Sequence, residues 1–163
     1  MIDITTSKSL PLVLEAFMQI SSRFTIAIHV LACINTFKDN SKVTSEFLSG
    51  SVNVNPVVIR RLLQQLKGAG IVNVTRGSGG AEIAKPLSQI TMLDVYKAVD
   101  SVENGQLFHF HENPNQDCPV GRNIHTVLDS KLAQIQQAME NEMKGITIQE
   151  ILEDTERCIK KER

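Results

Sequence analysis

The sequence predicts a mainly α-helical fold with one small β-ribbon, in which a helical domain is followed by one long helix. Three observations support this prediction. Apolar residues recur at helical spacing in most segments that follow a capping residue. A glycine-rich turn at 76–80 separates two short runs of strand-forming residues. Near the carboxyl end, one helical pattern continues unbroken from about 120 to 143.

The composition is that of a globular protein and excludes several other classes. The chain has 163 residues, of which 42% are apolar and 21% charged, so it is not a disordered chain. That length suits one domain, or one domain with an appendage. No apolar run reaches the roughly 18 residues that cross a membrane. The three cysteines, Cys33, Cys118 and Cys158, are odd in number and far apart, which argues against a secreted disulfide scaffold and a zinc ribbon. With no secretory signal at the start, the cytoplasm is the expected location.

The first two helices are predicted from their caps and apolar patterns. Segment 23–37 is apolar on most sides, which is typical of a buried helix. Thr44 is a suitable N-cap for a short helix from about Ser45 to Gly50. A tight turn at Ser49–Val52 is then expected to lead into the next helix.

The third helix has the clearest boundaries. Asn55 is a good N-cap, Pro56 fits the first helical position, and Gly70 suits a left-handed C-cap. The segments 71–75 and 81–85 follow as two strands around the glycine-rich turn. Together these elements predict a helix-turn-helix followed by a β-wing. The buried face of the third helix is expected to be Ile59, Leu62, Leu63 and Leu66.

Three more helices complete the predicted fold. Thr91 and Asp94 form a capping box for the fourth, Pro119 opens the long fifth, and Thr147 with Glu150 caps the last. The long helix is longer than such a domain needs, and its apolar side must be covered, most simply by a second copy. That side consists of Val120, Ile124, Val127, Leu128, Leu132, Ile135, Met139 and Met143.

The predicted organisation has four parts. Residues 1–17 form a leader or N-terminal arm, and residues 18–103 form a winged helix-turn-helix domain. Residues 104–118 form a connecting or sensor loop, and residues 119–163 form the dimerisation helices.

The charge distribution indicates where a polyanion would bind. Segment 51–90 has five basic residues against one acidic residue, a net charge of +4, whereas segment 91–163 has a net charge of −5. A basic island in an otherwise neutral or acidic chain favours nucleic acid. A solvated basic surface is the alternative interpretation.

The outward face of the third helix is the candidate reading surface. Val57, Arg60, Arg61, Gln64 and Lys67 follow helical spacing on the side opposite the leucines. An α-helix fits the major groove, where arginine recognises guanine and glutamine recognises adenine. The short capped helix before it and the basic ribbon after it favour double-stranded DNA as the partner.

The predicted wing tip provides a second DNA contact. Arg76 stands in the sequence Arg-Gly-Ser-Gly-Gly, and an arginine at a flexible tip suits a narrow minor groove. Gly77 and Gly79 let the backbone approach phosphates closely. The turn is not a phosphate-binding loop of an NTPase, because it lacks the required spacing and following helix.

Several segments in order resemble one family. They are SSRFTIAIHVL, NPVVIRRLLQQLKGAGIV, RGSGG, AKPLSQITMLDVYKAVD and CPVGRNI, and they are similar to the Rrf-two family of bacterial winged-helix repressors, the IscR/NsrR/CymR group. The resemblance covers residues 18–160 and is closer to the subset without a metal cluster. It implies a homodimer that binds a palindromic operator through the second helix, the third helix and the wing. The implied contacts are Asn55, Val57, Arg60 and Arg76, and Ser45 at the start of the second helix is added to them.

The sequence departs from the family pattern at two places. Cluster-binding members have three closely spaced cysteines before the long helix, whereas the segment FHFHENPNQDC contains only Cys118. No iron–sulfur cluster, other cofactor or metal is therefore expected. The wing has Ala81 and Glu82 where many members have a glycine and an aromatic residue.

Cys118 is the candidate sensor. Its position before the long helix places the thiol at a helix N-terminus, which stabilises a thiolate, and Arg122 one turn later adds positive charge. A structural loop with an ordinary thiol is the main alternative. A metal site with His109, His111 and His125 is a third, although that spacing matches no standard pattern.

The sequence thus predicts a DNA-binding transcriptional regulator that is not an enzyme, with the effector left open. A winged-helix adaptor that binds protein through the same face is the alternative function. Catalysis requires a nucleophile, a base and an orienting group in one pocket. Cys118 with His125 is the sole candidate pair, and no phosphate loop or carboxylate pair accompanies it.

Overall fold

The computed structural model describes residues 22–75, 80–99, 108 and 112–162, and this part of the chain contains six α-helices and a two-stranded antiparallel sheet. The mainly α-helical fold with a small wing is therefore confirmed. The leader at 1–17 and the wing tip at 76–79 lie outside the described residues. The elements are α1 (Ser22–Phe37), α2 (Ser45–Val52), α3 (Pro56–Gly68), β1 (Val72–Thr75), β2 (Gly80–Ile83), α4 (Met92–Val99), α5 (Pro119–Gly145) and α6 (Ile148–Lys161).

Helix α1 forms the centre of the hydrophobic core. Ala27, Val30 and Leu31 are completely buried, as the apolar pattern on most sides of this helix predicts. The helix contacts α2, α4, α6 and β2. Phe24 packs edge-to-face against Tyr96 of α4, with 5.7 Å between the ring centroids. Four other elements are thus arranged around one helix whose inner residues are completely buried.

Helix α2 begins as predicted but ends later. The Thr44 hydroxyl accepts a hydrogen bond of 3.2 Å from the Phe47 amide, so Thr44 is the N-cap. The helix continues to Val52, and the turn expected at Ser49–Val52 is wrong. The chain instead reverses at Asn53, which adopts the left-handed conformation with φ 55°. Asparagine tolerates this conformation better than most residues, and Ser49 Oγ stabilises the turn by donating to the Val54 carbonyl at 2.7 Å.

Helix α3 has the predicted caps at both ends. Asn55 Oδ1 accepts a 2.8 Å hydrogen bond from the Val57 amide, and Pro56 occupies the first turn. After the helix, Gly70 adopts φ 68°, and the Ile71 amide donates to the Leu66 carbonyl at 3.0 Å. The predicted apolar face is buried. Its members are Ile59, Leu62, Leu63 and Leu66.

The wing strands are shorter than expected. They pair antiparallel from Val72 opposite Ile83 to Thr75 opposite Gly80, whereas the sequence suggested 71–75 and 81–85. Gly80 belongs to the strand rather than to the turn, with φ 81°. A Cβ atom there would lie 3.1 Å from the Val43 carbonyl oxygen, so this close approach favours glycine. The Ala81 amide donates to the same carbonyl at 2.9 Å and attaches the wing to the segment before α2.

A backbone connection joins the start of α4 to the start of α6. Thr91 Oγ1 accepts from the Asp94 amide, and Asp94 Oδ2 accepts from the Thr91 amide, so the predicted capping box is present. Thr91 also pairs with Thr147 in an isolated antiparallel bridge. On either side of it, the Met92 amide donates to Ile146 at 2.9 Å and the Ile148 amide donates to Ile90 at 2.8 Å. This connection fixes the carboxyl end of α5 to the domain that contains α3.

Helix α5 is longer than predicted and has no buried residue among those described. It spans 27 residues, and only its carboxyl-terminal part, at Met139 and Met143, packs against the core. The remaining apolar side is open, with Val120, Val127 and Ile135 all more than half exposed. No described helix is both long enough and apolar enough to cross a membrane.

Candidate nucleic-acid interface

The exposed side of α3 is polar and basic, as the spacing predicts. All five predicted positions are exposed, and Val57 exposes 65% of its surface. An exposed valine on the side of a helix otherwise occupied by arginine, glutamine and lysine is suited to contact a thymine methyl group. The structure thus brings the five residues together on one surface. They are Val57, Arg60, Arg61, Gln64 and Lys67.

Asn55 and Lys67 make structural contacts at the two ends of this surface. Asn55 Oδ1 caps the helix, so that oxygen is engaged with the backbone. Lys67 Nζ donates to the Val74 carbonyl of β1 at 3.4 Å, which places its ammonium group beside the wing. Both side chains therefore have a structural contact in the free protein.

Arg60 is held by two side chains at the start of α2. Its Nη2 donates to Glu46 Oε1 at 2.6 Å, and its Nε donates to Ser45 Oγ at 3.3 Å. Ser45 Oγ also donates to Glu46 Oε2 at 3.0 Å, which closes a ring of three side chains between the two helices. Hydrogen bonding from Arg60 is the main cause that lowers the pKa of Glu46 below its usual value, so this exposed carboxylate is ionised at neutral pH.

A groove separates this ring from the wing. Its volume is about 260 Å³, and its walls come from the start of α2, from α3 and from both strands. Arg60 and Gln64 line one side, and Val74, Thr75 and Gly80 line the other. The predicted contacts Arg76, Gly77 and Gly79 lie outside the described residues. The described part of the wing therefore stands beside the basic face of α3.

Glu46 is a residue that the sequence analysis missed. It lies 14 positions before Arg60, and no local pattern links the two. The available signal was a carboxylate at the start of a helix, which usually indicates only a favourable interaction with the helix dipole. Ser45, which is predicted to contact DNA, contacts Arg60 and Glu46 in the free protein.

Cys118 is exposed and is the N-cap residue of α5. Hydrogen bonding from the backbone amides of Gly121 and then Val120 lowers the pKa of the Cys118 thiol, although neither amide makes the close, aligned bond of a standard cap. Gly121 is required here, because a side chain at this position would collide with the Asn115 carbonyl. The loop before α5 is thereby packed against the turn that faces the thiol.

The other predicted metal or catalytic partners are dispersed. His125 Nδ1 lies 3.1 Å from Asp129 Oδ1 one turn along α5, and His109 and His111 lie outside the described residues. Cys33 is buried in α1 with its sulfur 3.1 Å from Ser51 Oγ, and Cys158 is exposed on α6. Among the residues that the structure describes, no three histidine, cysteine or acidic side chains are grouped closely enough to bind a metal ion.

Sequence comparisons agree with this architecture. The family model described as Rrf2, iron-dependent transcriptional regulator, matches residues 20–154. The Bacillus subtilis (strain 168) protein YwnA, named a candidate HTH-type transcriptional regulator, is 41% identical over 133 residues, which span 82% of this chain and 96% of YwnA.

Structural comparisons agree as well. A candidate DNA-binding protein of known crystal structure is 37% identical in sequence and superimposes with a TM-score of 0.64. The match covers 80% of this chain and 99% of that protein's chain. The fold is also shared by T. potens IscR at 16% identity, with a TM-score of 0.63 over 88% of this chain and 93% of that one.

Proposed function

This chain belongs to the Rrf2 family of DNA-binding transcriptional regulators, and from that premise we propose that it is a homodimeric repressor of a palindromic operator. The observation that best supports this is the exposed basic face of α3 beside the wing, opposite a fully buried apolar face. The regulator acts in the cytoplasm, where it meets its operator.

The proposed dimer forms through α5. Val120, Val127 and Ile135 leave an apolar side uncovered along the amino-terminal part of this helix. A second copy covers it with an identical apolar side, which is the arrangement of a two-fold interface. Two α3 helices related by such an axis would enter successive major grooves, about 34 Å apart, and thus bind a palindrome.

Arg60, Val57 and Gln64 are the proposed base-reading residues. Replacing Arg60 with alanine is expected to flatten the preference among operator variants at one base pair in each half-site, because an arginine fork on guanine discriminates by about 1–3 kcal/mol. The measurement is binding to a duplex selected from random DNA and to each of its single-base-pair variants. An unchanged profile would show that Arg60 does not read a base. Absence of salt-dependent duplex binding would favour the adaptor function instead.

The donor set does not fit the iron–sulfur cluster that the family description implies. The three cysteines lie on α1, at the start of α5 and on α6, and Cys33 is buried in the core. Cluster binding in this family depends on cysteines that are close in sequence, and the segment before α5 offers Cys118 alone. We therefore assign no step of regulation to a resident metal.

Cys118 is the proposed point of signal input. Because its pKa is lowered, more of the thiol is ionised at neutral pH than in an ordinary cysteine, and the thiolate is the reactive form. The rate of alkylation by iodoacetamide should therefore rise with pH around a midpoint below the usual value of about 8.5. Labelling of the Cys118 peptide as a function of pH, followed by mass spectrometry, measures this midpoint, and a value at or above 8.5 would contradict the prediction.

Modification of Cys118 is further expected to release DNA. Oxidation or alkylation places a bulkier group at the start of α5, next to the tightly packed Gly121 and Asn115. A mobility shift after peroxide or a quinone compares the parent with Cys118→Ser, and Cys158→Ser is the matched control at another exposed thiol. Equal release from the parent and Cys118→Ser, or from neither, would exclude Cys118 as the switch.

A further inference from the structure

The contacts of Arg60 leave one edge of its guanidinium group open. The Nε and Nη2 side is occupied by Ser45 and Glu46, whereas Nη1 makes no hydrogen bond with any residue that the structure describes. An arginine that reads guanine presents two N–H groups to the O6 and N7 acceptors. The end-on edge, formed by Nη1 and the second hydrogen of Nη2, remains available for this purpose.

We propose that Glu46, with Ser45, is a positioning residue for Arg60 and thereby determines operator specificity without touching a base. The inference rests on the proposed base-reading role of Arg60. A free arginine side chain has many rotamers, and ordering it on DNA costs conformational entropy. The contacts with Glu46 and Ser45 hold the guanidinium group of Arg60 in place before DNA binds. The side chain is therefore largely ordered already in the free protein.

The charge of Glu46 has a second effect in the same direction. Non-specific binding comes mainly from basic side chains that neutralise phosphates. A carboxylate 2.6 Å from the Arg60 guanidinium offsets its charge and repels a phosphate that approaches the same place. Arg60 is therefore kept from serving as an indiscriminate phosphate contact, whereas the open edge can still donate to a base.

The exposure of the pair distinguishes this role from a structural one. The Arg60 side chain is 56% exposed and that of Glu46 is 64% exposed. Ion pairs with this much solvent contact contribute little to folding stability. The pair also lies on the surface that carries the base-reading residues, beside the groove below the wing. Specificity for DNA, and not the unfolding midpoint, is therefore the quantity that a change at Glu46 should alter.

The test is Glu46→Gln, measured on the selected duplex, its single-base-pair variants and an unrelated duplex. The ratio of specific to non-specific affinity is expected to fall about tenfold, a substantial part of what one arginine–guanine pair provides. The lost preference should lie at the base pair that Arg60→Ala affects. In the Arg60→Ala background, Glu46→Gln should leave the preference at that base pair unchanged.

Glu82→Gln is the matched control, because it removes the same charge from an exposed position on β2 of the same domain. It should raise the affinity for all duplexes alike and keep the base preference. Glu46→Asp tests whether the length of the side chain matters, since aspartate retains the charge but is one methylene shorter. It should lose the base preference as Glu46→Gln does. Thermal unfolding of each variant verifies the fold.

The outcomes separate this inference from the proposed function. If Arg60→Ala flattens the preference but Glu46→Gln and Glu46→Asp keep it, the positioning role is wrong and the base-reading role of Arg60 stands. If Glu46→Gln behaves like Glu82→Gln, charge alone acts and the positioning role is again wrong. If Arg60→Ala itself keeps the full preference, the proposed reading surface is wrong.

Discussion

Replacing Ile135 with aspartate is expected to convert the proposed dimer into a monomer and to lower operator affinity by a hundredfold or more. Ile135 is 54% exposed on the open apolar side of α5, and burying such a side chain contributes about 1.5–3 kcal/mol in each protomer. In the proposed dimer, two aspartates close to each other near the two-fold axis would also lose their contact with water, which is costly for charged groups. Loss of the dimer uncouples the two half-site contacts, whose linkage contributes about 10²–10⁴ in affinity.

Light scattering at micromolar concentration measures the mass, which should fall to that of one 18.1 kDa chain. Gln137→Asp is the control, because Gln137 lies on the same helix about 200° around from Ile135. It should remain dimeric and bind the operator. A dimeric Ile135→Asp protein with full operator affinity would mean that another surface forms the dimer.

Replacing Leu66 with alanine is expected to lower the free energy of unfolding by about 2–5 kcal/mol, because Leu66 is completely buried between α3 and the core. The measurement is the denaturant midpoint.

The next residue in the chain should behave in the opposite way. Lys67→Ala is expected to leave the denaturant midpoint unchanged but to weaken binding to all duplexes alike. It should also reduce the slope of log affinity against log salt concentration by about one.

This pair of neighbours tests the two faces of α3 separately. A small change in the Leu66→Ala midpoint would mean that the core closes around the lost side chain. A change in base preference for Lys67→Ala would place Lys67 at a base rather than at a phosphate, and would reassign the reading surface by one helical turn.

Local chemistry explains why much of the fold was predictable. Thr44, Asn55, Thr91 and Thr147 are caps whose hydrogen bonds join residues two or three positions apart. The apolar positions of α3 repeat at helical spacing and are buried as expected. Such signals lie within a few residues of each other, so the sequence alone contains them.

The features that were not predictable depend on contacts between distant segments. The end of α2 was misplaced because the serine and glycine near its end suggested a turn, whereas Asn53 with its left-handed conformation actually ends the helix. The strand position of Gly80 depends on its contact with Val43, 37 positions earlier in the chain. The Glu46–Arg60 pair likewise requires the packing of two helices. The same limit applies to α5, whose spacing predicted an apolar side but not that Met139 and Met143 would pack on the core.

The bridge between Thr91 and Thr147 holds helix α5 at its carboxyl end. Two backbone hydrogen bonds of 2.8 and 2.9 Å join the carboxyl end of α5 to the domain that contains α3. A helix of 27 residues is about 40 Å long. A tilt of about five degrees, pivoting at the Cys118 end, would displace the DNA-binding domain by about 3.5 Å, close to the spacing of one base-pair step. Because the carboxyl end of α5 is fixed to this domain, a small local change at the start of α5 would become a change of register on bound DNA.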